Sequence, residues 1–392
     1  MAFTFFQKQN DQSLTLLVDI GSASVGVALA SILPGQAPRI FFTTREDIPF
    51  QAELSSAKFL LAMGHTLEHT LKTAQSKIKG RGAPAHIFCT LSSPWFMLKT
   101  RHITIAEEKE FMVTEKLINS FFEQDMMRMR EDFKGVLPGE DIAVIERKII
   151  HTKLNGYDIK NPYGQKTSHI EMVATVGLSS KKVINDIQTR IGRLFHSESL
   201  QFGSFPVAAF SAVRDIFPQE NNFLFLDITG EATDVSLVVN DVLVGSVSFP
   251  RGKNFFVREI SAGLKTPHEA AITLLNMFLH DMLDTKKKAT VSQIIEVGKI
   301  EWLRRFEKAT TTLAREGTLS QKVFFSSDND VADFFTAVLA EAKSSTTSHA
   351  SFTANYLDQQ IVSKFVTCDT EVVRDPFLMI EALLVGKINV KK

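Results

Sequence analysis

Two short segments hold the residue types that could handle a metal and a phosphate together. One is Leu17-Val18-Asp19-Ile20-Gly21-Ser22-Ala23-Ser24; the other is Leu226-Asp227-Ile228-Thr229-Gly230-Glu231-Ala232-Thr233-Asp234. In each, an apolar run ends in aspartate and a turn of small residues follows. A strand ending in Asp can direct a carboxylate toward hydrated magnesium. Gly21 permits a tight turn, and the N–H groups beyond it, with the Ser22 and Ser24 hydroxyls, can cradle phosphate oxygens. The second turn can supply an opposing half. Either segment alone reads as a strand running into a polar turn. One in each half of the chain makes a clamp the better reading.

The elements that must position these turns follow from apolar patterning. Leu14–Ile20 and Val25–Ile32, the latter stopped by Pro34-Gly35, read as a β-hairpin, with Ile40–Thr43 as a third strand. Ser55–Ile78 has helical spacing, with Phe59, Met63, Leu67 and Leu71 on one stripe. Ala85–Leu91 reads as a buried strand. The second half repeats the opening: Phe223–Ile228, then Asp234–Val239 and Val242–Phe249 joined at Asn240-Asp241. Helices are expected over Pro267–Leu283, Val291–Arg315, Val331–Lys343 and Pro376–Val385, with a strand at Val323–Phe325. Between the halves, a charged helix over Ala106–Arg130, strands at Ala143–Leu154 and His169–Val176, and a helix over Lys181–Phe195 suggest a small inserted α+β unit.

With those pieces in order, the sequence resembles the actin-like ATPase superfamily. Its two turns look like the family's two phosphate hairpins, and Phe205-Pro206-Val207-Ala208-Ala209 looks like the connecting-helix signature. The insert is similar to the subdomain of the cell-division family FtsA, through Tyr157, Asn161-Pro162-Tyr163-Gly164 and Glu171. Ile260-Ser261-Ala262-Gly263-Leu264 and Glu269-Ala270 also resemble FtsA. The type IV pilus family PilM shares this branch and a similar insert.

The resemblance implies two actin-like (ribonuclease-H-like) α/β domains around a nucleotide cleft. Residues 1–90 and 179–217 would form domain 1, 91–178 the insert, and 218–392 domain 2. It implies ATP and magnesium in the cleft, with Asp19 and Asp227 orienting the metal through water. Gly21, Ser22, Ser24, Thr229, Gly230, Thr233, Asp234 and Gly252 would line the nucleotide. It implies a cytoskeletal adaptor of cell division that self-associates through the insert, or a PilM-like component docking a membrane protein's cytoplasmic tail. A third reading is a working ATPase or sugar-kinase relative. The cellular place implied is the cytoplasm, reaching the inner face of the membrane through partners.

The motifs also depart from the family. Its second turn is normally Asp-Ile-Gly-Gly-Gly, whereas Thr229 and Glu231 stand here in two glycine positions. Glu231, if turned toward a nucleotide, would repel it. The adenosine-lining Gly pair has no counterpart near Val323–Asp330. Arg251-Gly252-Lys253 replaces another Gly pair, and its cations could compensate. No water-activating base is evident, so hydrolysis is expected to be weak or lost.

Composition narrows the field. The 392 residues carry 44 Lys+Arg and 44 Asp+Glu. That balance argues against a polyanion binder, so no nucleic-acid partner is expected. Two cysteines make no disulfide framework. Met1–Gln12 lacks the pattern of a signal peptide. The Pro376–Val385 helix lacks a basic polar face and is better read as core than as a bilayer anchor. His65-Thr66-Leu67-Glu68-His69 matches an inverted zinc-protease pattern but offers no third ligand, and is read as a solvated helix face. Among 32 Phe, most should fill cores, while Phe121-Phe122 and Phe255-Phe256 are candidates to face a partner.

Overall fold

The computed structural model describes residues 14–132, 141–197, 199–343 and 351–390. The reading of Met1–Gln12 therefore lies outside the described residues.

The chain opens with an antiparallel meander: β1 (Leu14–Ile20), β2 (Ser24–Ser31) and β3 (Arg39–Asp47). Helix α1 (Ser56–Lys77) then crosses over to β4 (His86–Leu91), which lies parallel to β1. The insert follows as β5 (Phe96–Met112), α2 (Glu115–Asp132), β6 (Ile142–Leu154), β7 (Tyr157–Asp158) and β8 (Lys166–Ser180). Its strands form a separate sheet in the order β5-β8-β6-β7. Helix α3 (Lys181–Leu194), β9 (Ser199–Ser204) and α4 (Phe205–Ile216) complete the first domain's run.

The second domain repeats the plan. β10 (Phe223–Ile228), β11 (Thr233–Val239) and β12 (Val242–Phe249) form a meander, followed by α5 (Lys253–Leu264), α6 (His268–Leu279) and α7 (Thr285–Leu313). β13 (Lys322–Ser327) lies parallel to β10; α8 (Ala332–Glu341) and β14 (Thr353–Tyr356) follow. The order β3-β2-β1-β4-β9 in one sheet matches β12-β11-β10-β13-β14 in the other. The central strands β1 and β10 are buried almost throughout, because both sheet faces are covered. That is why they read as continuous apolar runs and not as alternations.

Three differences from expectation have plain causes. Ala106–Met112 continues β5, through a bulge between Ala106 and Phe111, and helix begins only at Glu115. Its charged residues are exposed on a strand at the rim of the insert. The chain's end leaves the second domain: after α9 (Gln359–Val362), β15 (Thr367–Cys368) pairs with β3, and α10 (Pro376–Val390) packs on α4 and β1. The span expected for domain 2 thus ends by completing domain 1. Leu378, Met379, Ile380, Leu383, Leu384 and Val385 are buried in that first core, which is why the helix shows no amphipathic face. Finally, Phe122 and Phe256 are buried, and Phe121 and Phe255 pack against cores, so the two Phe pairs face inward.

Candidate functional site

The two small-residue turns meet tip to tip between the domains. In the first, Gly21 N–H donates to the Ser24 carbonyl at 3.0 Å. Trp95 braces it from below, its indole N–H donating to the Gly21 carbonyl at 2.8 Å while its ring stacks on Phe59. In the second, Thr229 N–H donates to the Ala232 carbonyl at 3.0 Å, and the Thr233 hydroxyl holds the Arg251 carbonyl at 2.7 Å.

Asp19 lies in a row that crosses four strands. Strand register places Thr90, Asp19, Gly26 and Arg45 side by side on β4, β1, β2 and β3. Gly26 has no side chain, and a Cβ there would meet the Arg45 guanidinium at 2.5 Å. Arg45 therefore reaches over β2 to the Asp19 carboxylate at 2.8 Å and the Ser24 hydroxyl at 3.0 Å. It also pairs with Asp375 at 2.7 Å. Asp375 caps α10, accepting from the N–H groups of Phe377 and Leu378. Burial raises the Asp19 carboxyl, and Arg45 pulls it back only in part. Close by, the wholly buried Glu381 of α10 is raised well above the usual carboxylate range, by burial first and Asp19 second.

A matching row crosses the second sheet: Ser326, Asp227, Asp234 and Ser248 on β13, β10, β11 and β12. Asp227 accepts from the Ser326 hydroxyl at 2.8 Å. Burial, with Asp234 alongside, raises Asp227 well above its ordinary value. Burial raises Asp234 too, although it accepts from the Ser248 hydroxyl and from the hydroxyl and N–H of Ser93. Ser93 follows β4, so this contact joins the domains.

A second joint is at the turn tips. The Ser22 and Thr229 hydroxyls are 2.6 Å apart, and Glu231 N–H donates to Ser22 Oγ at 2.8 Å. A Cβ on Gly230 would lie 2.8 Å from the Ala23 Cβ. Gly252 precedes α5, and a Cβ there would sit 2.1 Å from the Thr229 carbonyl oxygen. The first N–H groups of α5 are satisfied from within: Lys253 donates to Thr229 and Asn254 to Gly230, at 3.0 and 2.8 Å.

The remaining charges are paired. The Glu231 carboxylate accepts from Asn254 Nδ2 at 2.8 Å and from both terminal nitrogens of Arg258, at 2.7 and 2.8 Å. Arg258 also donates to the Gln51 carbonyl, between β3 and α1, at 2.9 Å. Lys253 pairs with Asp330 at 2.5 Å and Asp328 at 3.4 Å. Burial alone would lower Lys253, but those two carboxylates raise it. Arg251 lies over the Phe255 ring and 3.8 Å from Glu301.

No family model matches this chain, and no curated protein matches it significantly. Solved structures do match. The PilM–PilN type IV pilus biogenesis complex aligns over 96% of this chain and 99% of its own, with a TM-score of 0.64 and 12% identity. A Bacteroides thetaiotaomicron protein with an actin-like ATPase fold aligns over 98% and 99%, with a TM-score of 0.41 and 10% identity. The chain shares the fold of the PilM–PilN structure. A diol dehydratase-reactivating factor in nucleotide-free form shares it over 96% of this chain and 100% of its own, with a TM-score of 0.50 and 8% identity.

Within this fold, Asp19, Gly21, Ser22, Ser24, Asp227, Thr229, Gly230, Thr233, Asp234 and Gly252 all lie at the junction between the domains. Mg-ATP does not fit the junction as it stands. Asp19 is paired with the Arg45 guanidinium, and Asp227 is engaged by the Ser326 hydroxyl. The Ser22 and Thr229 hydroxyls bond each other, the Ser24 hydroxyl accepts from Arg45, the Thr233 hydroxyl donates to the Arg251 carbonyl, and the Lys253 and Asn254 N–H groups donate to backbone carbonyls. Sequence reasoning missed Arg45, Ser93, Trp95, Asp375 and Arg258. Only Asp375 carried a signal, as a capping residue before an apolar helix. The His65–His69 pattern is spent elsewhere: Glu68 bonds Lys72 at 2.7 Å and Arg190 at 3.1 Å. Among the described residues, no three His, Cys, Asp or Glu are grouped to hold a metal ion.

Proposed function

We propose that this chain is a PilM-like docking scaffold that holds an extended peptide segment of a partner, the cytoplasmic tail of a membrane protein in type IV pilus assembly. The observation that carries the reading is a groove of about 1090 Å³ between the insert and the first domain. Its floor includes Phe88, Phe202 and Phe210, and its walls come from β6, β9, α4 and α10. Two strand edges flank it. Among the described residues, β9 has only β4 as a strand partner, and β6 pairs on its outer side only at Lys153 and Leu154, with β7. Open edges beside apolar pockets suit an added strand, with backbone bonds giving affinity and side-chain pockets giving specificity. Arg147, Lys148, Arg214, Lys364 and Lys387 outnumber Glu146 and Asp215 around the groove, which favours an apolar segment with acidic residues. The PilM–PilN likeness supports a partner of that kind. Among the described residues no helix is long and apolar enough to cross a membrane, so contact with a bilayer would come through the partner.

The reading needs no nucleotide hydrolysis. Its test is a fluorescence-anisotropy titration with peptides selected by display against the full chain. Val207→Glu places a charge on the half-exposed groove wall and should weaken binding by tenfold or more, about 1.4 kcal/mol. Selected peptides that bind the variant and the wild type equally would sink the proposal. An FtsA-like adaptor is the second reading, favoured by the outer edge of β5, which has no strand partner among the described residues. Concentration-dependent filaments in sedimentation, lost when the β5 edge is blocked by proline, would favour it.

A further inference from the structure

We propose that the cleft between the two hairpins is a permanent clasp closed by the chain's own carboxylate, Glu231, and that it takes no nucleotide. This goes beyond the docking reading and uses none of the groove residues.

Four observations converge. First, Glu231 is only 6% exposed and is held as a bound anion would be, by a two-pronged Arg258 guanidinium and the Asn254 amide. A guanidinium fork matches a carboxylate as it matches a phosphate. Second, Arg258 carries the link across the domain boundary to the Gln51 carbonyl at 2.9 Å, so neutralising Glu231 and bridging the domains are one act. Third, Glu231 N–H and Thr229 Oγ1 both engage Ser22 Oγ, at 2.8 and 2.6 Å, closing the gap at the tips. Fourth, the helix N-terminus behind the turn has no N–H to offer at Lys253 or Asn254, since the carbonyls of Thr229 and Gly230 accept them. A helix start is an anion site only while its first N–H groups are unsatisfied. Lys253, beside the turn, is committed as well, to Asp328 and Asp330. An incoming triphosphate would have to break the Ser22–Thr229 joint and displace an internal anion before making a contact.

The test is thermal unfolding of the full chain. Saturating Mg-ATP should leave the wild-type Tm within about 1 °C, too small for specific ligand linkage. Glu231→Ala should lower Tm, and added inorganic phosphate should restore part of the loss by occupying the freed Arg258 and Asn254. Phosphate should do less for the wild type. Glu231→Gln keeps the bond to Asn254 and should lose less than Glu231→Ala. A specific rise of wild-type Tm with Mg-ATP would overturn the proposal. So would a Glu231→Ala protein as stable as wild type, or one whose loss phosphate does not touch. If Glu231→Ala does not fold, the wild-type titration and the phosphate response of Glu231→Gln decide. Peptide binding at the groove is measured separately, so the two proposals can fail independently.

Discussion

Position in a strand row, more than residue type, determines what each acid here can do. Asp19 was legible in the sequence because it ends an apolar run before Gly21. Arg45 was not, because its link to Asp19 depends on β3 pairing in register with β2 at Gly26. A glycine in the middle of a buried strand is a weak local signal, yet its missing side chain is what lets the guanidinium cross. The triad is tightly enclosed: the side chains of Arg45, Asp19 and Asp375 are 23%, 3% and 9% exposed. Removing the shared cation leaves two carboxylates buried together. Arg45→Met should therefore cost about 3–5 kcal/mol in urea unfolding, the usual penalty for stranding a buried ion. Asp19→Asn leaves Arg45 paired with Asp375 and should cost less, about 1–3 kcal/mol. An Asp19→Asn protein less stable than Arg45→Met would show that Arg45 is not the hub. Glu231 teaches the converse. Its charge at a glycine position was visible as a departure, but its partner Arg258, a turn into α5, had no pattern to mark it.

Elements were legible where an apolar run of strand length met a turn signal. Both meanders, the crossover α1 and the Asn240-Asp241 turn, whose two residues have φ of 49° and 62°, follow from that logic. Boundaries failed where tertiary pairing overrode local composition. Charged Ala106–Met112 resembles a helix surface, but pairing with β8 keeps it extended. The end of the chain could not be assigned from order alone, since returning to the first sheet is a long-range choice. One junction between elements has a pH signature. Glu146 of β6 accepts from the N–H and hydroxyl of Ser204, at the start of α4, and so ties the insert to the first domain. Burial pushes its pKa up to about 7, although Ser204 and Lys148 draw it down. The folded protein then holds this proton more tightly than the unfolded chain. Its contribution is complete at pH below the unfolded value and is lost as pH rises through about 7. Glu146→Gln keeps the shape and an amide that can still bond Ser204, but removes the titration. Plotted against pH, the difference in Tm between wild type and Glu146→Gln should move in the variant's favour between about pH 4.5 and 7. A flat difference would show that Glu146 does not titrate across that range.

At the scale of the whole molecule, the contacts between domains run along the full length of the cleft. Arg258 reaches Gln51 on one side, Ser22 meets Thr229 at the tips, and Ser93 grips Asp234 behind them. The insert adds a fourth point, where the Thr100 hydroxyl of β5 donates to the Val244 carbonyl of β12. Two-domain chains commonly unfold in steps, because few contacts cross the boundary. Here the second sheet is stitched both to the first and to the insert that grows from it, and α10 carries the end of the chain back into the first core. The coupling should make calorimetric unfolding a single transition whose van't Hoff and calorimetric enthalpies agree. Combining Ser22→Ala, Arg258→Ala and Thr100→Val cuts three crossings without touching either hydrophobic core. That protein should show two resolved or markedly broadened transitions, with the lower shifted down by about 2–4 °C for each kcal/mol lost, the scale for domains of this size. One sharp transition in the triple variant would mean that the domains are held together by their packed surfaces and not by these bonds.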